Sequence, residues 1–176
     1  DGRAVLTAAA ASPSDLVVDI DANAAGMFDA SRRAARPAKR GGLANALFVV
    51  ASAERLPSAL DGVADIVTVY FPWGSLLRGL VTGDPAMLSG LARTMKPGAA
   101  LTVVLSVIDH DRTMGLPAVD AAALTALADS YAAAGLAVSD IAPATRQDIA
   151  ATGSSWGKRL GAGAERPAWR ITAART

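Results

Sequence analysis

Leu-Val-Val-Asp-Ile-Asp, residues 16–21, is the stretch that decides the fold: a short apolar run ending in acids. Four apolar positions in six residues read as a buried strand, with the acids placed where the strand leaves the sheet. Working outward, residues 24–36 read as a helix with Met27 and Phe28 inward and the arginines outward, and Ala46–Ala51 as the next strand. A short helix around 57–60 follows, then the strand Asp65–Phe71 running into the loop Pro72-Trp73-Gly74-Ser75. Pro85–Met95 reads as a helix stopped by the turn signal Lys96-Pro97-Gly98, ahead of a long β-branched strand over 99–108. The alanine-rich stretch 120–134 reads as a helix between an Asp120 N-cap and a Gly135 C-cap. Leu136–Ala142 and Ala168–Ala173 are the last two strands expected. Strands alternating with helices predict an α/β fold with a doubly wound, Rossmann-like sheet. The two late strands, joined by a long loop, suit an antiparallel hairpin at one edge. The chain opens on a helix pattern, Arg3–Ala11, so the first strand of such a sheet is expected to be missing. Residues 1–176 read as a single domain.

Composition excludes several classes of chemistry. The 176 residues contain no cysteine and one histidine, His110, so disulfides, thiolate zinc sites and cysteine nucleophiles are absent and no histidine-rich metal centre is possible. No metal site is expected. No Walker-type phosphate loop and no G-x-S-x-G elbow occurs, and His110 between Asp109 and Asp111 reads as a turn residue. With neither a signal peptide nor a membrane-spanning run in view, the protein is expected to be cytoplasmic, free of membrane and monomeric.

The net charge of +1 conceals an asymmetry. Arg32, Arg33, Arg36, Lys39 and Arg40 follow one another with no acid between them, and Arg146, Lys158, Arg159, Arg166, Arg170 and Arg175 face only Asp148 and Glu165. Such single-sign surfaces suit a polyanionic partner; solvated helix faces are the plainer explanation.

Ligands of open α/β sheets bind at the carboxyl ends of the strands. Collecting those ends gives Asp1-Gly2, Asp21, Ala53-Glu54 and Pro72-Trp73. A carboxylate at Asp21 suits ribose hydroxyls, or else caps the following helix. Asp19 is expected on the opposite side of the strand. Trp169 sits in an alternating strand and reads as core. Trp73 and Trp156 stand in loops, the latter beside Lys158 and Arg159, which is the composition of a base-stacking site with phosphate anchors. Either indole would otherwise cap the core.

Five segments carry a resemblance: D-G-R at 1–3, V-V-D-I-D, A-S-A-E-R-L-P, Y-F-P-W-G-S-L-L-R-G and S-S-W-G-K-R-L. The first is like the tail of a G-T-G-D-G-R cofactor loop. Together they resemble the aminoglycoside-resistance 16S rRNA methyltransferases that modify N1 of adenine 1408, the kanamycin–apramycin resistance type. The resemblance spans essentially the whole chain, and P-W-G-S-L-L-R and S-S-W-x-x-R-L are its specific part. It implies a class I S-adenosylmethionine-dependent methyltransferase sheet with an antiparallel last strand. S-adenosyl-L-methionine is the implied donor and the small (30S) ribosomal subunit, through its 16S rRNA, the implied substrate. Asp1, Gly2, Asp21, Ala53, Glu54, Trp73 and Ser75 are then expected at the cofactor. Pro72, Trp73, Ser154 and Trp156 are expected to line the target pocket. Arg32, Arg33, Arg36, Lys39, Arg40, Lys158, Arg159 and Arg166 are expected on the RNA.

The chemistry suits a chain without catalytic histidine, cysteine or paired acids. Adenine N1 carries an in-plane lone pair and needs no general base, so catalysis reduces to extruding the base and holding it in line. A methyltransferase acting on another RNA or a small molecule is the first rival, and it has no need of the 32–40 run. A non-catalytic RNA-binding domain is the second. A nicotinamide dehydrogenase has nothing here to supply its proton-transfer group.

Overall fold

In a computed structural model, residues 2–107, 115–154 and 166–176 are described. The elements in chain order are α1 (Arg3–Ala11), β1 (Val17–Asp21), α2 (Ala24–Ala34), β2 (Ala46–Val50), β3 (Ala64–Tyr70), α3 (Gly74–Thr82) and α4 (Pro85–Thr94). They continue with β4 (Met95–Leu105), α5 (Ala121–Thr125), α6 (Ala128–Ala133), β5 (Leu136–Pro143), α7 (Arg146–Ala151) and β6 (Trp169–Arg175).

β1 and β2 pair in parallel, Val17 opposite Ala46 and Asp21 opposite Val50. The other strands lie in the order β3-β4-β6-β5. β3 and β4 run parallel, while β6 is antiparallel to both β4 and β5. The antiparallel last strand is therefore as the sequence foretold, inserted between β4 and the edge strand β5. The edges of β1 and β3 away from these ladders carry no strand partner among the described residues.

Short polar side chains set the helix starts by satisfying amide groups that the helix leaves unpaired. The Asn23 side chain accepts from the Ala25 amide, Asp84 from Met87 ahead of Pro85 at the first helical position, and Asp120 from Ala123. The core lies between β3-β4-β6 and the helices α3, α4 and α6, where Leu77, Leu80, Leu88, Leu101, Val103, Leu105, Leu136 and Ile171 are fully buried. Each such aliphatic side chain contributes about 1.5–3 kcal/mol relative to exposure. Tyr131 is buried with them, its hydroxyl 3.3 Å from the Leu80 carbonyl oxygen that accepts it, and that burial pushes its phenol pKa upward. Trp169 is half-buried against this cluster, close to the expected core position.

Several local expectations need correction. Phe28 is not inward: Met27, Ala30 and Ala34 share the buried face of α2, and Phe28, one residue round from Met27, is exposed under Arg32, 5.6 Å from the ring centre. Gly74-Ser75 is the start of α3 rather than a loop; the pairs Leu76-Leu77 and Leu80-Val81 recur at helical spacing. Lys96-Pro97-Gly98 does not end a helix in a turn. It lies within β4, which already begins at Met95 opposite Ala64. The alanine-rich helix is divided into α5 and α6, where the Leu127 amide donates to the Leu124 carbonyl and tightens the turn. The loop before β6 contains α7, closed by a capping box between Thr145 and Asp148.

Candidate functional site

Gly2, at the head of α1, has φ +64, which glycine adopts without steric cost. A β-carbon there would stand 2.5 Å from Cβ of Ala30 and 3.5 Å from a carboxylate oxygen of Asp19. The start of α1 is thus pressed onto β1 and α2 too closely for any side chain. Asp19 and Asp21 share a face of β1, contrary to the expectation, because strand side chains alternate with period two. Burial raises the Asp19 pKa first, and the neighbouring Asp21 charge adds to it. Asp21 does not cap α2, since Asn23 does. Instead Oδ1 of Asp21 accepts from the Asn23 amide at 2.8 Å, which holds the carboxylate at the strand end. Its other oxygen makes no hydrogen bond to a described residue.

Beyond β2, Ala53 and Glu54 form a 3-10 turn. The Ser75 hydroxyl, at the start of α3, is the main reason the Glu54 carboxyl sits below its ordinary pKa. That effect relates the carboxyl end of β2 to the start of α3, just past β3. Arg93 of α4 donates to the Leu56 carbonyl at 2.9 Å. At the end of β3, Phe71 and Pro72 are buried while Trp73 is 69% exposed, its indole presented to solvent.

Ser154 is positioned from the other side of the molecule. Arg170 of β6 bridges Asp148 at 2.9 Å and Asp140 at 2.8 Å, and Asp148 also closes the Thr145 capping box. Thr145 hydrogen bonds are the leading cause of the lowered Asp148 pKa, with Arg170 adding to them. Past α7, the buried Thr152 hydroxyl donates to the Ile149 carbonyl and accepts from the Ser154 amide at 3.1 Å. Gly153 packs against Ala4 of α1, so this turn abuts the helix that Gly2 starts.

The basic run is gathered rather than scattered. Arg32 and Arg33 on α2 and Arg36 just past its end line a cleft of about 540 Å³ together with Arg3 of α1 and a single acid, Asp29. Lys39 and Arg40 are exposed in the 3-10 turn that follows. Arg3 was not among the residues expected here; the cleft between helices is visible only after folding. Arg166 is half-buried, with Nη1 inside and without a hydrogen-bond partner among the described residues. Asp1, Trp156, Lys158, Arg159 and His110 lie outside the described residues. No metal-ligating cluster occurs among the described residues.

One family matches the chain over nearly its whole length. Its model, NpmA, 16S rRNA (adenine(1408)-N(1))-methyltransferase, matches residues 1–175. The chain belongs to this family. A relative from Streptoalloteichus tenebrarius, named 16S rRNA (adenine(1408)-N(1))-methyltransferase, is 38% identical over 167 residues, covering 91% of this chain and 76% of that protein. One of the same name from Escherichia coli is 29% identical over 181 residues, covering 98% and 82%. Among solved structures, the Catenulisporales acidiphilia enzyme in a tryptophan-to-alanine form with cosubstrate S-adenosylmethionine superposes with a TM-score of 0.88. Identity is 34%, covering 99% of this chain and 81% of that one. The 16S rRNA methyltransferase KamB superposes at 0.86 with 35% identity, covering 100% and 84%. The mixed sheet with its antiparallel last strand is thus that of the S-adenosylmethionine-dependent methyltransferases.

Proposed function

We propose that the chain methylates N1 of adenine 1408 in the 16S rRNA of the small ribosomal subunit and thereby confers aminoglycoside resistance. The observation that carries the reading is Trp73. A 69% exposed indole at a strand end is expensive surface unless something stacks on it. Family membership supplies the nucleotide.

The residues present fit S-adenosylmethionine. Asp21 offers its remaining carboxylate oxygen to ribose hydroxyls, and Ala53 and Glu54 border the adenine. Gly2 brings the α1 backbone close, with Asp1 before it and Ser75 approaching Glu54. When bound, the cofactor supplies an electrophilic methyl group. The protein's own task is to hold adenine N1 in line and keep the base from leaving. Trp73 gives one stacking face and Trp156 the other; Pro72 and Ser154 close the sides of the pocket. As the base becomes cationic, indole faces stabilise it more than the neutral base, which lowers the barrier rather than only tightening binding. Arg32, Arg33, Arg36, Lys39 and Arg40, with Lys158, Arg159 and Arg166, contact RNA backbone, and Arg3 joins them through the cleft. Phosphate contacts position and carry no base information.

Residues 1–176 act as a single methyltransferase domain that works as a cytoplasmic monomer; among the described residues no helix is long and apolar enough to cross a membrane. The test of substrate class is a competition for labelled methyl between small subunits, large subunits, transfer RNA and free nucleosides. Label confined to the small subunit is the expected result; label on a nucleoside or on transfer RNA overturns the reading.

A further inference from the structure

We infer that Phe71 is a positioning residue: a buried ring that locks the backbone in the left-handed region so that Trp73 is held out from the sheet end at a fixed angle. This rests on the reading of Trp73 as the stacking surface for the target base.

Among the described residues, Phe71 is the non-glycine whose φ is positive, at +48. For a bulky side chain that conformation is an outlier. The next residue is Pro72, and a proline pushes its predecessor toward extended backbone. Two local preferences are therefore overridden at one position, which happens only where the surroundings impose the conformation. Two restraints are visible. The Phe71 amide still donates to the Val104 carbonyl at 2.7 Å, extending the β3–β4 pairing, and its side chain is 4% exposed.

The consequence appears within three residues. Phe71 and Pro72 are buried, and Trp73 then emerges to 69% exposure. Gly74, with φ +60, turns the chain into α3. Had the bend been required only to end the strand, glycine would make it without strain. A phenylalanine adds a buried anchor two residues before the exposed indole. Without that anchor the turn keeps its shape but loses its fixed angle. A displacement of about 1 Å in a positioned group can cost about 100-fold in rate.

The experiment compares Phe71→Gly, which accepts the backbone angle but removes the ring, with Phe71→Leu, which keeps an apolar anchor. Three quantities are measured on the full chain: the single-turnover methylation rate at saturating small subunit, the subunit affinity, and the fluorescence anisotropy of Trp73. The last is isolated as the signal lost in Trp73→Phe. The expected result for Phe71→Gly is a rate lower by about 10- to 100-fold, unchanged subunit affinity and reduced Trp73 anisotropy. Phe71→Leu should recover most of both. A folded Phe71→Gly protein with the wild-type rate and wild-type anisotropy would show the ring to be packing alone. If Phe71→Gly fails to fold, Phe71→Ala, which also removes the ring, decides: a lower rate with reduced Trp73 anisotropy and unchanged subunit affinity supports the inference, and wild-type values for both overturn it. Should the wild-type chain not methylate small subunits at all, the base-stacking reading falls, while the anisotropy arm still decides whether Phe71 holds Trp73.

Discussion

Replacing Trp73 by alanine separates stacking from packing. The indole is 69% exposed, so its removal takes little from the core, and the melting free energy should change by no more than about 0.5 kcal/mol. A base stacked on an aromatic gains about 1–3 kcal/mol. At about 1.4 kcal/mol per decade, losing that contact corresponds to roughly 5- to 150-fold in rate. Because the base acquires positive charge only as the methyl arrives, the loss belongs in the single-turnover rate more than in subunit affinity. Phenylalanine retains a π-face and should keep more of the rate than alanine. The assay is single-turnover methylation beside subunit binding, with folding followed by thermal melting. A folded Trp73→Ala protein that methylates at the wild-type rate refutes the stacking role.

Three further outcomes follow from the site. Asp21→Ala should weaken S-adenosylmethionine binding severely by calorimetry, and an unchanged dissociation constant removes Asp21 from the ribose. Subunit binding should fall steeply with salt, and each charge removed from Arg32, Arg33 or Arg36 should flatten the slope by somewhat under one unit; a triple alanine variant with the wild-type slope makes the run a solvated helix face. The Asp148 carboxyl has a folded pKa below its ordinary 3.8, so its contribution is complete above that value and lost as pH falls through the lowered one. Thr145→Ala should therefore cost about 1 kcal/mol of melting stability near neutral pH and progressively less in acid; a cost that does not vary with pH contradicts the capping role.

Much of this was legible in the chain itself. The run at 16–21 declared a strand with an acid at its end, although β1 is only half-buried and Leu16 and Ile20 are exposed rather than buried, and Asp65–Phe71 declared a strand delivering Pro72-Trp73 to the sheet end. Other features escaped for definite reasons. Gly74 and Ser75 look like a loop, and only the Leu76, Leu77, Leu80, Val81 spacing betrays α3. Lys96-Pro97-Gly98 carries turn chemistry, yet pairing with β3 draws it into β4, a tertiary effect that no local pattern records. The Thr145-x-x-Asp148 pair carries a capping signature that could have announced α7, but the stretch was read as part of the loop. The approach of Ser75 to Glu54, the Arg3 side of the basic cleft and the backbone of Phe71 depend on chain segments far apart or on a dihedral angle, so sequence alone holds no trace of them.

The measurement closest to the central claim is primer extension on 16S rRNA from small subunits incubated with the protein and S-adenosylmethionine. A methyl group on adenine N1 blocks Watson–Crick pairing, so reverse transcriptase halts beside the modified base. The expected result is a stop at adenine 1408 that requires S-adenosylmethionine and fades in Trp73→Ala. Label in the subunit with a stop at any other nucleotide, or no stop at all, contradicts it.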